Sequence, residues 1–267
     1  MQIPGKVFVV TGGGSGIGRE VAVQLTRAGA RVAAVDLNAD SLEETHTLAG
    51  AGDRLTIHPV NVTDADQVAA LPEAVLAGHG QVDGLLNIAG IIQRFLPFAE
   101  LSLADIEKVM NVNFYGVVAT MKAFLPHLLQ RPEAALVNVS SMGGFLPVPG
   151  QTIYGASKAA VKLMSEGMRA ELQDTPVRVT IVFPGAVGTN ISRNSGIDMP
   201  AADTDQAAAH KTTSAAEAAA TIIKGMAKGS YHVFVGADAR AMDALTRLVP
   251  ERAMEIIAKR MGNLLTR

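Results

Sequence analysis

Short apolar runs rich in β-branched residues recur at Val7-Val10, Arg31-Asp36, Leu55-Pro59, Gly84-Ile88, Ala134-Val139, Val177-Phe183 and Tyr231-Val235, and longer helix-like segments separate most of them. This alternation is the pattern of βαβ units, in which a crossover helix returns the chain to a parallel neighbour. The early runs are apolar on both faces, so they belong in a parallel sheet covered by helices on each side. The fold class read from this is α/β and doubly wound.

No Pro/Gly/Ser linker or internal repeat divides the 267 residues, and one α/β domain can reach roughly 250 residues, so a single domain over 1–267 is expected. Helix starts resembling capping boxes stand at Thr63-Asp64-Ala65-Asp66, Ser102-Leu103-Ala104-Asp105 and Ser214-Ala215-Ala216-Glu217, and glycines at 29, 50 and 229 act as stops. The segment from about 190 to 213 is polar, alanine-rich and aperiodic, as expected of a substrate loop. Beyond the last run, Ala253, Met254, Ile257, Met261, Leu264 and Leu265 fall at helical spacing. They predict a helical C-terminal extension over about 238–265 that packs on its own chain or on a sister subunit.

Composition removes several classes. With 23 Lys+Arg against 25 Asp+Glu, the net charge of −2 offers no overall attraction to nucleic acid or an anionic membrane. No stretch approaches the roughly 18 apolar residues of a membrane span, and the run Val7-Val10 is too short for a signal-peptide core, so a cytoplasmic protein is expected. Zero cysteines exclude a disulfide framework, a thiolate nucleophile and Cys-ligated zinc. None of the six histidines falls in an H-E-x-x-H pattern, so no metal site is expected.

Between the first run and the first helix lies Thr11-Gly12-Gly13-Gly14-Ser15-Gly16-Ile17-Gly18. Glycines there permit unusual dihedrals and close approach of phosphate, and the helix N-terminus that follows presents free N–H groups and positive dipole to a pyrophosphate. G-x-G-x-x-G counted from Gly12 fails at Ile17, and a P-loop counted from Gly13 fails at Arg19, where lysine is needed. The second run ends in Asp36, 18 residues beyond Gly18. A carboxylate at that place accepts hydrogen bonds from ribose hydroxyls and repels a 2′-phosphate, which points to NAD over NADP.

Tyr154 and Lys158 stand four residues apart, on one face of a helix. Lowering a tyrosine pKa from about 10 to 7 takes about 4 kcal/mol of preference for the phenolate. One ammonium about 4 Å away at an effective dielectric of about 20 supplies that much. Ser140 and Ser141 follow the run Ala134-Val139, at the carboxyl end of a parallel strand, where open α/β sheets bind ligands.

On these motifs the chain resembles a short-chain dehydrogenase/reductase of the single-domain, NAD-preferring branch, over roughly residues 5 to 236. T-G-x-x-x-G-x-G matches at Thr11, Gly12, Gly16 and Gly18, and the family's N-N-A-G appears as Asn87-Ile88-Ala89-Gly90. The resemblance implies a Rossmann-like fold with a parallel seven-stranded sheet and helices on both faces. It carries the catalytic roles to Asn113, Ser141, Tyr154 and Lys158, the last two also touching the cofactor. Cofactor contacts are implied at Gly14, Ser15 and Ile17 of the glycine turn, and at Asn61, Val62, Asn87, Ala89 and Gly90. Pro184, Gly185, Val187 and Thr189 match the segment near the nicotinamide. At Asn61 the family commonly has an acid, so here a hydrogen bond to adenine is kept and the charge is lost.

The expected reaction is hydride transfer between NAD(H) and a fairly hydrophobic secondary alcohol or ketone, with Ser141 holding the oxygen, Tyr154 moving its proton, and Lys158 lowering the tyrosine pKa. Asn113 is expected to steady a water joining Lys158 to solvent. Apolar residues after the motifs, Met142, Phe145, Leu146, Pro147 and Val148, and Ile91, Ile92, Phe95, Leu96 and Phe98, are candidates for the substrate pocket. Similar enzymes imply a homodimer or homotetramer. The rival reading is a non-catalytic dinucleotide-sensing protein on the same fold, against which the joint presence of the four catalytic positions argues.

Overall fold

A computed structural model of the protein describes residues 1–197 and 212–261. In chain order the elements are β1 (Val7–Thr11), α1 (Gly16–Arg27), β2 (Arg31–Asp36), α2 (Ala39–Ala49), β3 (Leu55–Pro59), α3 (Ala65–His79) and β4 (Gly84–Asn87). There follow α4 (Leu103–Met110), α5 (Gly116–Leu128), β5 (Ala134–Val139), α6 (Thr152–Glu171) and β6 (Val177–Pro184). The last are β7 (Val187–Gly188), α7 (Ile191–Asn194), β8 (Thr213–Ser214), α8 (Ala215–Ala227), β9 (His232–Val235), α9 (Ala237–Leu248) and α10 (Pro250–Met261).

Seven strands form a parallel sheet in the order β3-β2-β1-β4-β5-β6-β9, which is the Rossmann-like arrangement. Successive residues of a strand face opposite sides. Phe8 and Val10 accordingly join Val21, Leu25, Ala218 and Ile222 of α1 and α8, whereas Val9 joins Leu71, Phe124 and Val161 of α3, α5 and α6. Both faces of β1 are thus wholly buried, and each such side chain contributes roughly 1.5–3 kcal/mol.

Two helix starts follow the sequence reading, and one departs from it. Ser214 and Glu217 form a reciprocal capping box, and Ser102 Oγ accepts from Asp105 N. At α3 the cap is Asp64, accepting from Asp66 N and Gln67 N, because Thr63 is consumed in a turn that bonds its N–H and hydroxyl to Asn61 Oδ1.

The C-terminal extension is two helices, not one, interrupted at Val249 before Pro250. Ala253 and Ile257 of α10 bury against Leu146, while Met254 stays largely exposed; Leu264, Leu265 and the Met261 side chain lie outside the described residues. The loop expected at 190–213 contains α7 and the start of β8, which pairs in parallel with β7; positions 198–211 lie outside the described residues. No helix among the described residues is long and apolar enough to cross a membrane.

Candidate active site

The strand order reverses direction between β1 and β4, and in open α/β sheets ligands bind at such a switch point, outside the carboxyl ends of the strands. A cavity of about 560 Å³ opens there. The glycine turn lines it, with Gly12 and Gly18 pressed so closely onto their surroundings that a side chain is excluded at either position. A Cβ on Gly18 would lie 2.1 Å from Gly12 O, and one on Gly12 would lie 2.9 Å from Ala89 N. Gly12 also has φ +73°, which L residues rarely adopt. Ser15 precedes α1 without capping it through its side chain, and the first-turn residues Gly16, Ile17 and Gly18, whose N–H groups have no partner within the helix, line the cavity.

Thr11 Oγ1 accepts from Ile88 N and Ala89 N at 3.0 and 3.2 Å, fastening the turn after β4 to the end of β1. Asp36 accepts from Gly14 N at 3.0 Å and from Asn38 N at 3.1 Å, and lines the cavity beyond the turn. A carboxylate has about four acceptor sites, so two of these bonds leave capacity for ribose hydroxyls. Asn61 and Val62 line the same end, with Asn61 Oδ1 already occupied by Thr63.

Ser141, Tyr154 and Lys158 line the same cavity, as do Pro184, Gly185, Val187 and Thr189, the last beside Gly16 of the turn. Ser141 follows β5; its hydroxyl accepts from Gly143 N at 3.0 Å and hydrogen-bonds with Tyr154. Ser140 has a different job, donating to Lys158 O at 2.7 Å and so clamping α6 to β5.

The electrostatics of Tyr154 and Lys158 differ from the sequence expectation. Burial pushes the Tyr154 phenol above its ordinary value, with only the Ser141 hydrogen bond pulling the other way. The Lys158 ammonium donates to Val139 O at 3.0 Å and lies 6.0 Å from the tyrosine ring centroid. Its own burial lowers its pKa to about 8. The lysine is anchored to the end of β5, and desolvation dominates at the phenol.

Four of the expected positions stand behind the cavity wall: Thr11, Gly14, Asn87 and Asn113 do not line it. Asn87 Nδ2 donates to Asn138 Oδ1 and its Oδ1 accepts from Thr120, so both ends of the amide are engaged within the protein. Asn113, in the π-helical turn Asn111–Tyr115, brackets Ile91: Oδ1 accepts from Ile91 N and Nδ2 donates to Ile91 O, both at 2.9 Å. It also donates to Ser157 Oγ at 3.1 Å.

Of the apolar residues expected around the substrate, Ile91 and Ile92 line the cavity, joined by Ile191 of α7. Leu146 is fully buried beneath α10, and Phe145 packs edge-on against Phe183, so that stretch is packing and not pocket. The sequence reading missed Gln93, Asn194 and Ser195. Asn194 Nδ2 donates to Ser15 Oγ at 2.8 Å and Ile92 N donates to Ser195 Oγ at 3.0 Å, drawing α7 over the cavity.

Known proteins of similar sequence and fold fall in one class. SadH of Mycobacterium tuberculosis, named as an oxidoreductase, is 38% identical over 95% of this chain and 94% of its own. The 3-oxoacyl-[acyl-carrier-protein] reductase of Thermotoga maritima is 35% identical over 71% of this chain and 77% of its own. A short-chain dehydrogenase/reductase of Burkholderia phymatum, solved with NAD, superposes with a TM-score of 0.83 at 28% identity, covering 93% of this chain and 96% of that one. One from Burkholderia cenocepacia, solved with NADP, gives 0.80 at 28% identity over 96% and 99%. The sheet order, the glycine turn at its switch point and a match of residues 6–200 to the short chain dehydrogenase family model together place this chain in the short-chain dehydrogenase/reductase family of oxidoreductases.

Proposed function

We propose that the protein transfers a hydride between NAD(H) and a secondary alcohol or ketone, with Tyr154 as the general acid and base. The observation that carries this reading is the convergence of Ser141, Tyr154 and Lys158 on one cavity that is also lined by the glycine turn and by Asp36. The residues fit a dinucleotide: the Gly12–Gly18 turn and the α1 N-terminus suit a pyrophosphate, and Asp36 suits ribose hydroxyls while opposing a 2′-phosphate. When bound, its nicotinamide supplies the carbon that accepts or returns hydride. In oxidation Ser141 holds the substrate oxygen and Tyr154, as phenolate, takes the hydroxyl proton; in reduction the phenol returns it. Lys158 binds ribose hydroxyls and provides the cation nearest the phenolate. Asn113 holds Ile91 and so shapes the wall beside Lys158. Ile91, Ile92 and Ile191 favour an uncharged, rather apolar substrate. A single domain, acting as a homo-oligomer in the cytoplasm, completes the reading.

The deciding experiment is a screen of secondary alcohols and ketones with NAD(H) and NADP(H), followed by nicotinamide absorbance, with Tyr154→Phe as control. Tyr154→Phe should lose most of kcat and still bind NAD(H); near-normal turnover overturns the assignment. A protein that binds dinucleotide and turns over none of the compounds supports the sensor reading instead.

A further inference from the structure

The helix that carries Tyr154 and Lys158 begins without a cap of its own. Gln151 occupies the N-cap position of α6 and its side chain accepts no hydrogen bond from the first turn. Ordinarily an Ser, Thr, Asp or Asn at that position would accept from the second or third helical N–H. In this chain those two N–H groups belong to Ile153 and Tyr154 itself. Both donate to one atom, Oε1 of Gln93, at 2.8 and 2.9 Å. Gln93 lies about sixty positions earlier, in the strap after β4, and is only 3% exposed.

The rest of the amide is used as well. Gln93 Nε2 donates to Gly150 O at 2.9 Å, and Gln151 Nε2 donates to Gln93 O at 2.8 Å. Gln93 therefore meets the chain on both sides of the helix start. The two residues before it are tied elsewhere: Ile91 to Asn113 and Ile92 to Ser195. The strap 91–93 thus connects the cavity wall, α7 and the catalytic helix through hydrogen bonds of three consecutive residues.

We infer that Gln93 is a positioning residue for Tyr154, its buried amide oxygen substituting for the missing N-cap and setting the depth at which the phenol enters the cavity. The inference rests on the function proposed above, since it is the acid/base role of Tyr154 that makes its placement matter. Gln93 touches neither reacting atom; it acts through the backbone of Ile153 and Tyr154. A displacement of about 1 Å at a reacting group can cost on the order of 100-fold in rate. Removing the acceptor also leaves two N–H groups unpaired at a buried helix end.

The test uses Gln93→Met, which keeps the bulk and removes the amide, and Gln93→Asn, which stays polar and is one methylene too short. Each is assayed with NAD(H) and the alcohol of highest turnover, with kcat expressed per dinucleotide-binding site so that unfolded protein does not count. Hydrogen exchange of the peptide spanning 151–158 is measured alongside. Met and Asn should lower kcat per site by about 10- to 100-fold, with the dinucleotide Kd within about threefold of wild type and exchange at Ile153 and Tyr154 faster by at least about tenfold. Unchanged exchange, or kcat per site within twofold of wild type in both loss variants, overturns the inference. With Tyr154→Phe in parallel the two failures separate: an inactive Tyr154→Phe beside an active Gln93→Met sinks only the positioning role, whereas an active Tyr154→Phe sinks the functional reading and this inference with it.

Discussion

Asn87 donates to Asn138 across β4 and β5 at 2.8 Å, in register and almost entirely out of contact with solvent, directly beneath the strand ends that carry the site. Asn138 in turn donates to Ser165 of α6, and Asn87 accepts from Thr120 of α5. A polar chain therefore runs from one helix to the other through the middle of an apolar sheet. Such a network holds only while every member is satisfied.

Asn138→Ala should destabilise the protein by about 2–3 kcal/mol, because it strands the Asn87 amide and leaves a small cavity. Urea unfolding monitored by circular dichroism would read this. A loss below about 0.5 kcal/mol would mean the network relaxes around the gap.

Lys158 carries a cost in the dinucleotide-free protein. Its folded pKa, about 8, is below the ordinary lysine value, so the buried ammonium is destabilising below pH 8 and the cost fades as pH rises toward 10.5. Lys158→Met should be inactive yet more stable at pH 7 by about 1–2 kcal/mol, seen as a Tm higher by several degrees, with the gap narrowing near pH 10. Thermal melts at both pH values check it, and a less stable variant at pH 7 contradicts it.

The phenol of Tyr154 is held above its ordinary value by burial. Oxidation needs the phenolate and reduction needs the phenol, so alcohol oxidation should climb with pH beyond 8 while ketone reduction declines. Initial rates in both directions from pH 6 to 10 decide this; parallel trends would argue against a shared tyrosine.

Asp36→Asn removes the charge that opposes a 2′-phosphate and keeps an acceptor oxygen for Gly14 N. The ratio of kcat/KM for NADP(H) to that for NAD(H) should rise by about tenfold, which is about 1.4 kcal/mol. A ratio unchanged from wild type would remove Asp36 from cofactor choice.

Far from the cavity, Arg31 Nε donates to His79 Nδ1 at 3.1 Å, which leaves the proton on Nε2 to meet Thr56 Oγ1 at 2.8 Å. Burial and the nearby guanidinium push the His79 pKa down to about 4. An unfolded histidine takes up its proton near pH 6.5, so the folded state loses stability as pH falls from about 6.5 to 4, by of order 2–3 kcal/mol. In His79→Gln this part of the acid sensitivity should disappear, leaving a flatter plot of Tm against pH; an identical slope would exclude His79 as its source.

The parts of this protein that were readable along the chain are those written in short-range patterns. Doubly apolar runs spaced by helical segments specify a covered parallel sheet, because side chains alternate faces and both must leave water. The glycine turn, Asp36, Tyr154 and Lys158 are local too: a tight turn, a strand end and one helical face bring them into a shared cavity. The split of the C-terminal extension at Pro250 and the Asp64 cap at α3 hinge on single residues: the split was not read from the sequence, and the cap was placed one residue early. What came only with the folded chain was pairing at a distance. Gln93 with Tyr154, Asn113 with Ile91, Leu146 with Ile257 and the lysine ammonium with Val139 join segments between about 19 and 111 positions apart. No periodicity signals such pairs, since a glutamine that caps a remote helix looks like any polar residue of a loop until packing buries its amide and leaves those N–H groups no other partner.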